Sequence, residues 1–111
     1  MPKEVKMTPS VLDIVAARFK ALGEPARLRI LSALRDGEAT VSDIIEETGL
    51  GQANVSKHLQ MLHSLGFVTR RRDGLHIHYG LADREVFRLC DIMCGRVDAQ
   101  TTVRKKALSG R

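Results

Sequence analysis

The stretch that decides the fold runs from Thr40 to Leu81 and reads TVSDIIEETGLGQANVSKHLQMLHSLGFVTRRRDGLHIHYGL. In its first half, apolar residues recur at helical spacing on both sides of Gly49-Leu50-Gly51, a segment that predicts a tight turn. In its second half, apolar and polar residues alternate around Asp73-Gly74, which predicts a β-hairpin. The stretch therefore predicts two helices joined by a short turn and followed by a hairpin.

The two predicted helices differ in what they present. Thr40 and Asp43 have the spacing of a capping box at the start of the first helix. Its inward side consists of Val41, Ile44, Ile45 and Thr48. The second helix starts at Gln52 and places Val55, Leu59 and Leu62 on one face. Away from that face stand small or hydrogen-bonding side chains: Gln52, Asn54, Ser56, Lys57, His58 and Gln60.

Two more helices precede this stretch. Pro9-Ser10 opens the first, with Ser10 as its predicted cap and Gly23 as its end. Its apolar stripe is Leu12, Val15, Ala16, Phe19 and Leu22. Pro25 suits the first turn of the next helix, and Gly37 is its predicted stop. The stripe of that helix is Leu28, Leu31 and Leu34.

One more helix follows the hairpin. Asp83 is its predicted cap, and it should continue to about Ala99. Its stripe is Val86, Cys90, Met93 and Val97. The predicted fold is therefore mainly α with a small hairpin: four helices, two strands and a last helix, the layout of a winged helix-turn-helix. We expect a flexible arm at 1–8, one domain at 9–100 and a basic flexible tail at 101–111.

Length and charge narrow the function. A chain of 111 residues with 43% hydrophobic residues fits one folded domain. Its net charge of +5 predicts an anionic partner. From Gly49 to Arg72 there is no Asp or Glu, as a phosphate-facing surface requires. No apolar run reaches the roughly 18 residues of a membrane span, and the first residues lack a signal-peptide core. We therefore expect no membrane partner and a cytoplasmic location.

These features together favour DNA binding. Short polar side chains on an exposed helix face can reach base edges, and cations at the flanks can reach phosphates. Gln52 and Asn54 are the candidates for base edges, and Ser56 and Lys57 for phosphates or bases. For His58, phosphate contact and simple packing stay open. The candidates in the hairpin are Arg70, Arg72 and His76, because strand alternation sends Arg71 to the opposite side.

Apolar stripes on the first and last helices exceed what a chain this small can bury alone. A second copy would cover the excess and would double the DNA contacts. A two-fold dimer fits a double-stranded operator with two half-sites about one helical turn apart.

Cys90 and Cys94 stand four residues apart, so both sulfur atoms lie on one side of the last helix, about 6 Å apart in rise. Two thiolates can approach one soft metal ion or metalloid, such as arsenite, cadmium or zinc. Two ligands do not complete such a site, but a dimer would bring four thiols if the last helices lie side by side. Core packing is the alternative, because free cysteine is often buried.

The motifs resemble those of the ArsR/SmtB family of bacterial repressors. The segment FKALGEPARLRILSAL at 19–34 is similar to the family's opening helices, and 41–81 resembles its reading head and wing, including VSKHLQMLHSLGFV. The resemblance covers about 11–97. It implies a homodimer built on the first and last helices, an inverted-repeat operator, and release when an inducer binds.

The resemblance also bears on the sensor. The family's arsenic pattern is Cys-x-Cys in the helix before the recognition helix, and its zinc pattern is Asp-x-His with a later His-x-x-Glu in the last helix. This chain has neither pattern. It resembles members with cysteines in the last helix, which sense thiophilic metals, arsenite or reactive sulfur species. The resemblance thus implies a thiol-reactive inducer at Cys90 and Cys94 and does not fix its identity.

Three alternatives stay open. The same DNA-binding fold could have structural cysteines and a different inducer or none, or the winged helix could bind another protein instead of DNA. An enzyme is disfavoured, because the chain has no phosphate loop and no nucleophile elbow, and Ser56 and His58 point in different directions on their helix.

Overall fold

The computed structural model describes residues 6–109, with side chains described for 6–100. Five helices and three strands follow in the order α1 (Pro9–Leu22), α2 (Pro25–Ala33), β1 (Ala39–Thr40), α3 (Val41–Thr48), α4 (Gln52–Ser64), β2 (Val68–Asp73), β3 (His76–Leu81) and α5 (Glu85–Ser109). The fold is mainly α with a small hairpin, as predicted. Most of the predicted arm at 1–8 and the end of the predicted tail at 110–111 lie outside the described residues.

Three predicted helix boundaries are wrong. Helix α2 ends at Ala33, four residues before the predicted stop at Gly37. The side chain of Thr8, not Ser10, caps α1 by accepting a hydrogen bond from the Val11 amide, because Pro9 already occupies the first helical position. Helix α5 continues to Ser109 instead of ending near Ala99. No proline or glycine stands between Gly95 and Gly110, so nothing in that segment interrupts the helical backbone. Most of the predicted tail is therefore part of α5.

The core lies where α2, α3, α4 and the sheet meet. Val55, Leu59 and Leu62 of α4 are all 0% exposed, as their spacing predicts. Helix α2 contributes Ile30 and Leu31, and its C-cap contributes Leu34, whereas Leu28 is 39% exposed. The predicted stripe of α2 was wrong at Leu28, because Ile30 is the residue that this helix turns inward. Tyr79 of β3 and Val86 and Phe87 of α5 complete the core.

The strands form one antiparallel sheet in the order β1-β3-β2. The turn between β2 and β3 is shifted by one residue from the prediction. Asp73 pairs with His76, so the two loop residues are Gly74 and Leu75. Gly74 has φ +62°, and a glycine with positive φ at the first loop position is typical of a type II′ turn.

Large apolar side chains remain exposed mainly on the two outer helices. They are Leu12, Ile14 and Phe19 on α1 and Leu89, Ile92, Met93 and Val97 on α5. Several of them line a mostly apolar groove of about 810 Å³ between α1, α5 and the segment Gly66-Phe67. No helix in the described part of the chain is long and apolar enough to cross a membrane.

Candidate nucleic-acid interface

Glycines at three helix ends set the position of α4 between α3 and the hairpin. Gly49 ends α3 with φ +74°, and Gly51 immediately precedes α4. At the other end, the Gly66 amide donates to the His63 carbonyl and the Phe67 amide to the Leu62 carbonyl. This pair of bonds is a Schellman motif, and it needs the positive φ of +82° that Gly66 adopts. The chain therefore leaves α4 at a fixed angle and enters β2 directly.

The predicted reading residues share one solvent-facing side of α4. Gln52, Asn54, Lys57 and Gln60 are exposed and Ser56 is half-buried. Within residues 6–100, none of these five side chains takes part in a hydrogen bond or an ion pair. Their polar groups are free to meet a ligand, while the opposite side of the same helix is fixed in the core. No direct observation tests their DNA contacts, which stay a prediction.

His58 lies differently from the other five. It is half-buried, and its Nδ1 accepts a hydrogen bond from Arg27 Nε at 3.2 Å. Arg27 also donates to the carbonyl of Ala21 at 3.3 Å, so it links α1, α2 and α4. Burial and the neighbouring Arg27 guanidinium lower the pKa of His58, which keeps the ring neutral as an acceptor. Of the two alternatives for His58, this geometry favours packing.

The three arginines of the hairpin divide into two groups. Arg70 pairs in register with Tyr79, Arg71 with His78 and Arg72 with Ile77, so Arg71 lies on the opposite face from the other two. Arg71 forms an ion pair with Glu38 at 2.9 Å. Arg70 and Arg72 are exposed, and neither forms an ion pair with another residue of the described part of the chain. These two arginines therefore carry the unneutralised charge of the hairpin.

The two histidines of β3 also differ. His76 is exposed next to the turn, beside the end of β2. His78 is half-buried. The lowered pKa values of the nearby Glu38 and Asp43 come mainly from hydrogen bonds with Arg71 and Thr40 respectively, and His78 makes the smallest contribution to each. Among the described residues, no group of three or more histidines, cysteines and carboxylates could hold a metal ion. Because His76 pairs with Asp73, its side chain lies on the same face of the hairpin as Arg71 and opposite Arg70 and Arg72, and its contact with DNA stays a prediction.

Cys90 and Cys94 are both free thiols on α5, half-buried and exposed respectively. Burial, followed by the neighbouring Cys94 and Asp91, raises the pKa of the Cys90 thiol. Asp91, between the two cysteines, forms an ion pair with Arg35 at 3.2 Å, and the Arg35 guanidinium lies 4.8 Å from the centre of the Phe87 ring. Arg35, which follows the end of α2, thus contacts the part of α5 that carries the two cysteines.

Three charged residues at these sites were not predicted from the sequence: Arg27, Arg35 and Glu38. Each contacts a side chain more than thirty positions away in the chain. The only signal in the sequence was the change from the acidic segment Asp36–Glu47 to the acid-free segment Gly49–Arg72, which does not indicate which charges form pairs.

A helix-turn-helix with an exposed polar second helix and a basic hairpin defines the winged helix-turn-helix class of regulators. Residues 24–70 match the model of the family described as "Bacterial regulatory protein, arsR family". The chain is 35% identical over 109 residues to the HTH-type transcriptional regulator CmtR of Mycobacterium bovis, covering 94% of this chain and 92% of CmtR. The chain belongs to the arsR family of bacterial regulatory proteins.

Two further similarities are informative. A probable mercury resistance operon repressor of Streptomyces lividans is 39% identical over 74 residues, which cover 67% of this chain and 59% of that protein's length. A homodimeric winged helix-turn-helix DNA-binding domain from Mycobacterium bovis, a possible ArsR-family regulator, has a solution structure that matches with a TM-score of 0.75. It is 35% identical, over 91% of this chain and 94% of that one. These findings confirm the predicted family and the prediction that the chain is not an enzyme.

Proposed function

We propose that this chain is a homodimeric, sequence-specific DNA-binding repressor of the bacterial cytoplasm, released from its operator by a thiol-reactive inducer at Cys90 and Cys94. The observation that carries the DNA-binding part is the exposed polar side of α4 together with Arg70 and Arg72, which form no ion pair in the described part of the chain. The polar side chains on that side of α4 have no partners within residues 6–100, and no carboxylate lies between Gly49 and Arg72.

In this proposal each residue has a role that its chemistry permits. The side-chain amides of Gln52, Asn54 and Gln60 can donate to and accept from base edges in the major groove. Lys57, Arg70 and Arg72 neutralise phosphates, and Ser56 donates to the DNA backbone. His58 supports α4 through its hydrogen bond with Arg27 and is not one of the proposed DNA contacts.

The dimer rests on two supports. Large apolar side chains stay exposed together on α1 and α5, whereas on a monomer such side chains are normally exposed singly. The similar domain from Mycobacterium bovis is homodimeric. Two copies related by a two-fold axis present two α4 helices, and such a pair fits an inverted repeat with half-sites about one helical turn apart.

The DNA-binding proposal is tested by selection of duplexes from a random pool, followed by anisotropy titrations of the recovered sequence at several salt concentrations. The selection should return an inverted repeat. Asn54→Ala should lose about tenfold or more in affinity for the repeat and relax preference at one position of each half-site. Lys57→Gln should weaken binding to all sequences and reduce the salt dependence.

His63→Gln is the matched control, because His63 is exposed on the last turn of the same helix, outside the predicted contact set. It should bind like the parent. Selection that enriches no sequence, together with binding that shows little salt dependence, would favour the protein-interaction alternative.

The sensor part of the proposal rests on the thiol pair. One α5 offers two sulfur ligands a single helical turn apart, and one of them is exposed. A soft metal ion binds the thiolate and displaces its proton, so the raised pKa of Cys90 costs affinity at neutral pH and makes binding stronger as pH rises. Because the described residues of one chain complete no metal site, the remaining ligands would come from a second copy. Binding there would alter the dimer and so the spacing of its two α4 helices.

The sensor is tested by a gel shift with the selected duplex, comparing the parent with the double variant Cys90→Ser, Cys94→Ser. Arsenite, cadmium, zinc and polysulfide are added in turn, with mercury(II) included because a relative is a probable mercury resistance repressor. At least one should release the parent and leave the double variant bound. Equal responses of both proteins to every compound would assign the cysteines a structural role.

A further inference from the structure

An ion pair on the outer face of the sheet connects the hairpin to the segment before α3. Glu38 immediately precedes β1, Arg71 lies in β2, and β3 runs between them. Arg71 Nε lies 3.2 Å from both carboxylate oxygens of Glu38, and the second guanidinium nitrogen lies 2.9 Å from Oε1. This two-point contact lowers the pKa of Glu38 and raises that of Arg71. The pair therefore spans all three strands of the sheet.

Gly80 makes this crossing possible. It is buried in β3, opposite Thr69 of β2. A Cβ atom at position 80 would lie 3.2 Å from Glu38 Cγ and 3.1 Å from Thr69 Oγ1. Both distances are tighter than ordinary van der Waals contact. The side chain of Glu38 thus lies directly over the central strand in space that only glycine leaves open.

Only a short strand pairing joins the segment before α3 to the hairpin through the backbone. Strand β1 pairs with β3 at two positions only, Ala39 with Tyr79 and Thr40 with His78. Thr40 is also the cap of α3, where its side chain and that of Asp43 form a complete capping box. Glu38 is therefore fixed three residues before the start of α3, the first helix of the helix-turn-helix, and Arg71 joins the hairpin to that point.

We propose that Glu38 and Arg71 form a wing-positioning clamp, which holds the hairpin in the orientation relative to α4 that lets Arg70 and Arg72 meet the DNA backbone. The proposal rests on the proposed function. It assigns Arg71 a different role from its two neighbours: its charge is used within the protein, on the face away from theirs. Arg71 is a positioning residue, and Glu38, an acidic residue in a DNA-binding protein, aids DNA binding.

The direction in which Glu38→Gln changes the affinity for DNA distinguishes the clamp from simple electrostatics. Glu38→Gln removes a negative charge, so charge alone predicts tighter DNA binding, all the more because Arg71 is released. The clamp predicts weaker binding, because a loosely held hairpin must be ordered when DNA binds. Both residues are partly exposed, which limits the pair's strength, so we expect a loss of about threefold to tenfold in affinity for the selected duplex.

Asp36→Asn is the matched control, because it removes the same charge two residues away. Asp36 has no ion pair or side-chain hydrogen bond with the described residues. The control should bind DNA as tightly as the parent or slightly tighter. The double variant Glu38→Arg, Arg71→Glu should regain most of the affinity that either single change loses. Glu38→Gln binding as tightly as Asp36→Asn, or a double variant no better than the singles, would overturn the clamp.

Hydrogen exchange without DNA provides a second readout. Amides of β2 and β3 should exchange at least about threefold faster in Glu38→Gln than in Asp36→Asn, because the clamp opposes local opening of the hairpin. Equal exchange would overturn the clamp whether or not the chain binds DNA. A parent that binds no duplex, with exchange that still differs between the two variants, would overturn the proposed function and retain the structural clamp.

Discussion

Helices α4 and α5 are both amphipathic, yet only one completes its packing within the chain. The apolar residues of α4 at positions 55, 59 and 62 are fully buried, and its polar side faces solvent. In α5, Val86 and Phe87 are buried near its start, but Leu89, Ile92, Met93 and Val97 are more than half exposed. An apolar stripe therefore has two outcomes in this molecule. On α4 it forms part of the core, and on α1 and α5 it stays exposed, where the proposed dimer would cover it.

The largest expected effect concerns α4, whose apolar residues are buried within the chain. Leu59→Ala should lower the free energy of unfolding by about 2–5 kcal/mol, because it removes a side chain that is 0% exposed and leaves a cavity. Urea denaturation followed by circular dichroism measures it. Leu75→Ala, at a turn residue that is 96% exposed, should change stability by less than about 0.5 kcal/mol. Similar losses in both variants would contradict the position of the core.

The next largest effect concerns α5, whose apolar residues stay exposed. Ile92→Glu places a charge on the exposed apolar surface of α5, where Ile92 is 60% exposed. It should leave the monomer folded but convert the dimer to monomer, because burying an unpaired carboxylate opposes association. Affinity for the inverted repeat should fall about 100-fold, since the two half-sites are no longer bound together. Sedimentation velocity and anisotropy measure the two results.

Glu46→Gln serves as the control for Ile92→Glu, because Glu46 is exposed on α3, away from both outer helices. It should leave the sedimentation coefficient unchanged. A variant Ile92→Glu that still sediments as the parent does would place the dimer on another surface and would remove the contrast between α4 and α5.

The smallest effect concerns the contact that joins α4 to α2 and α1, in which Arg27 donates to His58 and to the Ala21 carbonyl. The pKa of His58 is lowered from its ordinary value of about 6.5, so the unfolded chain binds a proton more readily than the folded chain. The stability from neutral His58 is therefore present above about pH 6.5 and is lost as pH falls toward the folded pKa. Urea midpoints at about pH 7.5 and 5.5 should differ less in His58→Gln than in the parent. An equal difference would show that His58 titrates alike in both states.

The parts of the fold that depend on neighbouring residues could be predicted from the sequence. The capping box of Thr40 and Asp43, the end of α3 at Gly49 and the buried face of α4 each follow from spacings of a few residues. The hairpin was predicted too, but not its turn. Asp73-Gly74 and Gly74-Leu75 are both plausible two-residue loops, and only the pairing of β2 with β3 selects between them.

Features that depend on distant residues were missed for a physical reason. Strand β1 has two residues and no pattern of its own, since it exists only through its pairing with β3. Leu28 and Ile30 are equally apolar, and the packing of α2 against its neighbours decides which one is buried. For the candidate site, the pattern indicated the exposed face of α4. It could not show that His58 contacts Arg27 or that Arg71 contacts Glu38, because those partners are about thirty positions away.

At position 51, before the start of α4, a change that stabilises the helix would lower the affinity for DNA. Glycine provides no side-chain cap there, so the first amides of the helix have no side-chain acceptor at that position. An aspartate at 51 would accept from those amides and strengthen the helix, but it would also bring a carboxylate to the end of the helix that lies near the phosphates in the proposed complex. The helix-turn-helix of this variant would be more stable but would bind DNA more weakly. Substitutions meant to stabilise the protein should therefore be made at positions away from this turn.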